Sequence, residues 1–250
     1  MNSKRNNVRL ECLANDLREQ MSILTKEPVR IHQILKTKGI LAWFRKLDPE
    51  FSGMAIRTQL GAASKSKRFM LINSAQSYGK QRFTACHELY HLLYQEEFTV
   101  SQNNAGKFDV KEPEEYNADV FASFLLLPEN GLKELVPVDE QEKDKIQLAT
   151  ILKVEQNYRC SRITLLRRLK DLKWITAIVY DKYARNVKSS ATEYGYSPDL
   201  YNPTNDTELV GDYNIKAREL YDKGLISQAK YFSLLEDIGV KFSSFIDDEE

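Results

Sequence analysis

The chain has 250 residues, which is enough for one large domain or two modest ones. Hydrophobic residues make up 42% and aromatic residues 10%, so the composition excludes an intrinsically disordered chain. The 36 Lys and Arg residues balance 36 Asp and Glu residues, so the chain as a whole lacks the basic surplus of a dedicated nucleic-acid binder.

The expected compartment follows from the N-terminus, the apolar runs and the cysteines. The first ten residues are polar and lack a signal-peptide pattern, and the apolar runs are too short to cross a bilayer. Cys12, Cys86 and Cys160 stand far apart, without the spacing of metal ligands. These features predict a cytoplasmic protein with reduced thiols and no membrane partner.

Residues 1–135 mix helix and strand patterns and predict an α+β domain. Hydrophobic spacing, β-branched and aromatic content and proline positions define its elements. Helices are predicted over 8–27, 29–35, 82–95 and 113–127, and strands over 40–47, 53–60 and 69–72. A polar loop is predicted between the last two helices.

A soft boundary near residue 135 separates this domain from a mainly helical accessory region over 136–250. Its predicted helices cover 143–154, 161–172, 214–222 and 228–238. A strand is predicted over 175–180. Pro, Gly, Asn, Ser and Thr predict a loop or linker over 189–211.

Two of the three histidines in the chain, His87 and His91, lie four residues apart on a predicted helix. Residues at i and i+4 share a helical face, so both imidazoles can converge on one cation. Glu88 lies beside that position without binding the metal, where it can take a proton from water as general base. The HExxH segment therefore predicts the zinc site of a hydrolase.

A hydrolytic zinc ion needs a third protein ligand and an open fourth position. No histidine follows His91, so this ligand must be a carboxylate or a cysteine. Glu115 and Asp119 share one helical face, which predicts Glu115 as the ligand and Asp119 as the hydrogen-bond partner of a ligating histidine. Glu112 and Glu114 stay open as alternative ligands. A site of two histidines and one glutamate would also accept Mn²⁺ or Fe²⁺.

Two segments carry a resemblance to a known family. Residues 82–93 read RFTACHELYHLL and residues 115–128 read EYNADVFASFLLLP. Both are similar to the ImmA/IrrE family of metallopeptidases, and the similarity covers about residues 28–130. Residues 143–172 are weakly similar to the helix-turn-helix-like piece that often follows in this family. The chain departs from the family pattern at Tyr90, where Gly is usual, and at Asp119, where Asn is usual.

The resemblance implies a zincin-like fold with His87, His91 and Glu115 as metal ligands and Glu88 as catalytic base. It also implies a metalloendopeptidase that cleaves a helix-turn-helix, XRE-like transcriptional repressor and so derepresses stress, mobile-element or phage-defence genes. Two alternatives are a non-catalytic zincin-like regulator that binds a repressor or DNA, and a zinc hydrolase of a small molecule.

A cluster of basic residues lies on the helix predicted over 161–172 and just beyond it: Arg162, Arg167, Arg168, Lys170 and Lys173. One interpretation is contact with nucleic acid through residues 143–173. The other is an ordinary solvated helix face, which the neutral net charge favours.

Cys160 lies in the predicted turn before that helix. In one hypothesis its thiol reaches the open zinc position and controls a latent enzyme. In the other it is a buried thiol with no role in the site.

Overall fold

Five strands form one mixed sheet in a computed structural model, which describes residues 2–58, 66–103 and 105–240. The strands are β1 Ile40–Arg45, β2 Gly53–Thr58, β3 Lys67–Asn73, β4 Val100–Asn103 and β5 Glu208–Val210. Their order across the sheet is β4-β2-β3-β1-β5. β1 and β3 run parallel, and the other neighbouring pairs are antiparallel.

Helices make up most of the remaining described chain. They are α1 Asn2–Gln20, α2 Ile31–Thr37, α3 Tyr78–Leu93, α4 Pro113–Leu126, α5 Glu129–Leu135, α6 Leu148–Tyr158, α7 Arg162–Asp171, α8 Ala177–Tyr183, α9 Val187–Glu193, α10 Tyr213–Asp222 and α11 Gln228–Asp237. No helix within the described ranges is long and apolar enough to cross a membrane. The predicted α+β class with a mainly helical C-terminal region is confirmed, while the boundary near residue 135 stays a prediction.

The core forms where α3 is enclosed between the sheet and other helices. α3 lies on β2 and β3 and packs along α4, which packs in turn along α1. The sheet side of this core includes Ala55, Met70 and Ile72, all fully buried. Because α3 is covered on several sides, almost every residue from Gly79 to Leu92 is buried, which explains its weak amphipathic pattern.

Local sequence explains the bounds of α4. Pro113 occupies the first turn, where its missing N–H costs nothing, and Glu114 and Glu115 place negative charge at the positive end of the helix dipole. Pro128 follows directly after the helix and prevents it from continuing. The observed bounds therefore agree with the prediction to within one residue.

The buried side chain of Arg18 connects the end of α1 to the end of α4. Its guanidinium donates to the carbonyl oxygens of Leu125 at 2.8 Å and Glu27 at 2.7 Å, and also to that of Leu24. Carbonyl groups in the last turn of a helix have no partner within the helix. Arg18 therefore satisfies one such group on α4 and fixes the turn after α1, which ends at Gln20 rather than at the predicted residue 27.

The strand predicted over 175–180 is wrong, because residues 177–183 form α8. Its β-branched residues have no neighbouring strand with which to pair in the described structure, and Ile178 is 81% exposed. Asp144 accepts a hydrogen bond from the backbone N–H of Thr176 at 2.7 Å, just before the first turn. Strand propensity alone does not decide such a short segment.

The linker predicted over 189–211 is also wrong, since most of α9, a 3-10 turn over 198–201 and β5 lie within it. β5 takes its hydrogen bonds from β1, more than 160 residues earlier in the chain. The predicted polar loop between α3 and α4 contains β4, which pairs with β2. The helix predicted over 143–154 begins later, at Leu148. Residues 59 and 60 of the second predicted strand lie outside the described residues.

The packing of α1 against the core generates a stability prediction. Leu17 is fully buried, so Leu17→Ala should lower the free energy of unfolding by about 2–5 kcal/mol, because it removes buried methyl groups and leaves a cavity. Leu24→Ala is the matched control, since Leu24 is 69% exposed and its loss should cost about 0.5 kcal/mol or less. Urea denaturation of both variants measures the difference, and equal midpoints would contradict the packing of α1.

Candidate metal centre

α3 places His87 and His91 one turn apart on the face that meets α4. Both side chains are 1% exposed, and their Nε2 atoms lie 3.1 Å apart. The helical spacing predicted this convergence, because residues at i and i+4 share a face.

Glu115 reaches the two imidazoles from the first turn of α4. Its Oε2 atom lies 3.1 Å from Nε2 of His87, and its Oε1 atom lies 3.4 Å from Nε2 of His91. One ligand atom from each of these residues lies within 4.8 Å of the other two. The structure thus brings together the three side chains that were predicted as metal ligands.

The spacing of these donor atoms fits a divalent cation. Donors that share a tetrahedral zinc ion at bond lengths of about 2.0–2.1 Å lie about 3.3 Å from one another. The separations between His87, His91 and Glu115 are 3.1, 3.1 and 3.4 Å. Two imidazoles and one carboxylate suit zinc, and they also accept manganese or iron.

The outer nitrogen of each imidazole has an acceptor that turns the inner nitrogen towards the centre. Nδ1 of His87 lies 2.7 Å from Oδ1 of Asp119, as predicted for this position. Nδ1 of His91 lies 2.5 Å from Oε1 of Gln95, a contact that the sequence analysis missed. Gln95 stands four residues after His91, so helical spacing could have suggested it. Such partners fix the tautomer and orientation of metal-binding histidines.

The carboxylate of Asp119 is buried and also holds the chain segment that leads into α4. Its Oδ1 atom accepts the backbone N–H of Gly106 at 2.7 Å, and its Oδ2 atom accepts that of Phe108 at 2.6 Å. Asp119 therefore joins His87 to residues 106–108. No sequence pattern predicts these contacts, because both donors are backbone groups in an irregular segment.

The carboxylates around the imidazoles favour positive charge at this position. Burial on its own lowers the pKa of His87, but hydrogen bonds to Asp119 and Glu115 and the charge of Glu88 raise it to about 10. Burial on its own raises the pKa of Glu115, but His87 and His91 lower it to about 2. The carboxylates thus outweigh the cost of burying positive charge at this position.

Glu88 lies directly after His87 on α3 and is fully buried. Its negative charge contributes to the raised pKa of His87. It is not a member of the group of three donors. This arrangement is the one required of a general base that acts beside a cation without binding it.

Tyr90 separates Glu114 from the candidate ligands. Its hydroxyl donates to Oε2 of Glu114 at 2.9 Å, which holds that carboxylate away from the histidines. The ring is 2% exposed and packs against Phe121, with centroids 5.8 Å apart. Tyr90 therefore fills the core between α3 and α4. Within the described residues, neither Glu112 nor Glu114 joins the candidate metal group.

The basic residues of α7 point in different directions. Arg162 is buried in an ion pair with Glu155, and buried Arg168 donates to the carbonyl oxygen of Leu127 at 3.2 Å. Arg167 lies over an aromatic ring, whereas Lys170 and Lys173 are exposed. The arginines therefore do not form a solvated face, and contact of residues 143–173 with nucleic acid stays a prediction.

Cys160 is fully buried in the turn between α6 and α7, against the first turn of α3. A Cβ atom on Gly79 would lie 3.0 Å from the Cys160 carbonyl carbon and 2.7 Å from the Ser161 nitrogen, so the two segments touch. His87 lies eight residues further along α3, or about 12 Å at a rise of about 1.5 Å per residue. This placement favours the buried, inert thiol over the thiol that controls the centre.

A scan against protein families matches residues 39–170 to a peptidase family, the IrrE N-terminal-like domain. The match covers more than half of the chain and includes every residue of the candidate metal group. The chain belongs to this family. The IrrE-like assignment confirms the predicted family and the zincin-like class of the domain. A search of curated protein sequences found no match.

Membership of the IrrE-like peptidases connects the group of His87, His91 and Glu115 with peptide-bond hydrolysis. The family supports a hydrolase of peptide bonds in general, and the three donors could hold a metal ion. The match continues through α6 and most of α7, so the IrrE-like domain extends past residue 135 in the family comparison.

The geometry predicts which histidines a metal requires. After dialysis against zinc and then buffer, the unaltered protein should retain about one zinc ion per chain, while His87→Ala and His91→Ala should retain almost none. His32→Ala is the matched control, because His32 is about half exposed and lies outside the group of three donors. Elemental analysis measures the ratio, and full zinc retention by His91→Ala would contradict the assignment.

Burial predicts very different reactivity for the three thiols. Burial raises the pKa of Cys86 to about 12 and raises that of Cys160 as well, whereas Cys12 is exposed. Because the thiolate is the reactive form, only Cys12 should react with a chromogenic disulfide at pH 8. All three thiols should react in denaturant, and rapid native reaction of a second thiol would contradict this packing.

Proposed function

We propose that this protein is a zinc-dependent endopeptidase that cleaves a helix-turn-helix transcriptional repressor and thereby derepresses stress, mobile-element or phage-defence genes. One observation carries the proposal. The group of His87, His91 and partly exposed Glu115 has the donor set and spacing of a hydrolytic metal centre, and buried Glu88 follows His87 on the same helix. Membership of the IrrE-like peptidases supports peptide-bond hydrolysis as the reaction.

Different side chains would bind the cation, transfer the proton and orient the ligands during hydrolysis. His87, His91 and Glu115 would hold the cation, which supplies a Lewis acid that polarises a carbonyl oxygen and acidifies water. Glu88 takes a proton from the attacking water while the water oxygen bonds to the scissile carbonyl carbon. When the C–N bond breaks, Glu88 returns the proton to the leaving amine. Asp119 and Gln95 keep both imidazoles oriented through these steps.

The sheet supports an extended polypeptide as substrate. β4 is an outer strand, and in the described structure it pairs only with β2. An outer strand offers backbone N–H and C=O groups to which an extended peptide can add as a further strand. Phe98, two residues before β4, stacks on the ring of His91 with centroids 5.3 Å apart. The chain that leads into β4 therefore touches one of the candidate metal ligands.

The choice of a repressor as substrate rests on the similarity of residues 82–93 and 115–128 to the ImmA/IrrE family. A cytoplasmic location belongs to the same proposal, since transcriptional repressors act there.

Glu88→Gln separates metal binding from catalysis. The amide keeps the size of the side chain but cannot accept the water proton, so cleavage should fall by at least about a hundredfold while zinc content stays unchanged. The test co-expresses each form with a candidate helix-turn-helix repressor and measures the mass of that protein by spectrometry. The two fragment masses from the unaltered enzyme would identify the bond.

Two results would contradict the proposal. Cleavage by Glu88→Gln at the rate of the unaltered enzyme would exclude Glu88 as the base. A partner that stays intact while it co-purifies with zinc-loaded protein would favour the non-catalytic regulator. His32→Ala again serves as control, and it should cleave normally.

A further inference from the structure

Phe108 adopts a backbone conformation that an aromatic residue rarely takes. Its φ angle is +52°, in the left-handed region, where a Cβ atom crowds the following carbonyl group. Such a conformation persists only where surrounding contacts impose it. In this chain the conformation directs the N–H of Phe108 to Oδ2 of Asp119 at 2.6 Å. The unfavourable backbone conformation therefore allows a hydrogen bond to Asp119, the carboxylate that orients His87.

The contacts that impose this conformation come from two helices. The ring of Phe108 meets Phe83 of α3, with centroids 6.0 Å apart. The guanidinium carbon of Arg167 lies 3.6 Å from the centroid of the same ring. A planar guanidinium stacks on an aromatic face through both dispersion and cation–π attraction. The ring thus contacts both α3, which carries the histidines, and α7.

α7 is well placed to act as a fixed support. Arg162 near its start is buried in an ion pair with Glu155, and Arg168 is buried and bonded to the carbonyl oxygen after α4. Arg167 stands between these two anchors and is only half-buried. Its position over Phe108 is therefore set by the packing of the helix.

We propose that Arg167 is a positioning residue for the metal centre. Its guanidinium holds the ring of Phe108, the N–H groups of Phe108 and Gly106 hold the carboxylate of Asp119, and Asp119 holds Nδ1 of His87. The inference rests on the metal centre of the proposed function and assigns to α7 a part in building it.

The expected consequence of breaking this chain of contacts is a weaker metal site. Without the guanidinium, Phe108 can relax to negative φ, and its N–H then leaves Asp119. The carboxylate keeps fewer donors and turns more freely, so His87 loses part of its fixed orientation. Loss of a group that orients a metal ligand typically lowers metal affinity about 10–100-fold. Because Arg167 acts through Phe108, we expect an effect near the lower end, about tenfold.

The test measures zinc affinity of the full chain by chelator competition. Arg167→Leu keeps much of the packing volume but removes the guanidinium, and it should weaken Zn²⁺ binding about tenfold. Arg167→Lys keeps the charge and should recover part of that loss. Lys170→Ala is the matched control, since Lys170 is an exposed basic residue on the same helix, and it should bind zinc normally. The double variant Phe108→Ala/Arg167→Leu should bind Zn²⁺ no more weakly than Phe108→Ala alone, because both substitutions break the same chain of contacts.

Two further readouts separate positioning from general destabilisation. In metal-free protein, Arg167→Leu should speed hydrogen exchange in residues 105–111 while exchange in α1 and β3 stays unchanged. With Co²⁺ as probe, its visible absorption bands should shift, because the ligand geometry changes. Zinc affinity, exchange and cobalt spectrum equal to those of the unaltered protein would overturn this inference alone. An unaltered protein that binds neither Zn²⁺ nor Co²⁺ would overturn the proposed function together with it.

Discussion

The hydrogen bond between His87 and Asp119 joins α3 to α4 at the point where the candidate metal centre forms. The same carboxylate accepts the N–H groups of Gly106 and Phe108, so it also fixes the segment that enters α4. A buried carboxylate needs such donors to offset its loss of hydration. Asp119 is therefore a structural centre as well as the partner of a candidate ligand, and the two roles share one set of contacts.

The burial of α3 explains why its histidines face a defined environment. The sheet covers one side of the helix, α4 another, and the turn between α6 and α7 touches Gly79. Side chains enclosed in this way keep one orientation. Catalysis requires such fixed orientations, because the reacting groups must be held in the correct geometry. The same enclosure gives the C-terminal helices a place in the architecture of the site, through the close contact at Gly79 and the stacking of Arg167 on Phe108.

Much of the site and part of the fold could be predicted from local spacing. The i and i+4 positions of His87 and His91, and of Glu115 and Asp119, indicated which side chains would converge. Pro113 and Pro128 marked the bounds of α4. Glu114 was the harder case, because it neighbours Glu115 on the helix. Its carboxylate accepts hydrogen bonds from Tyr90 and Asn117 instead of joining the histidines.

Local patterns were enough to predict what depends on neighbours within about one or two helical turns: the helices of the site, the two histidines on one face and the family motifs. Features that depend on distant partners became visible only in the folded chain. β5 becomes a strand because β1 offers hydrogen bonds, and α8 is a helix where no strand lies beside it in the described chain. Phe108 keeps its left-handed backbone because Asp119 and Arg167 hold it. These contacts join residues far apart in the chain, and no local pattern encodes the distance between them.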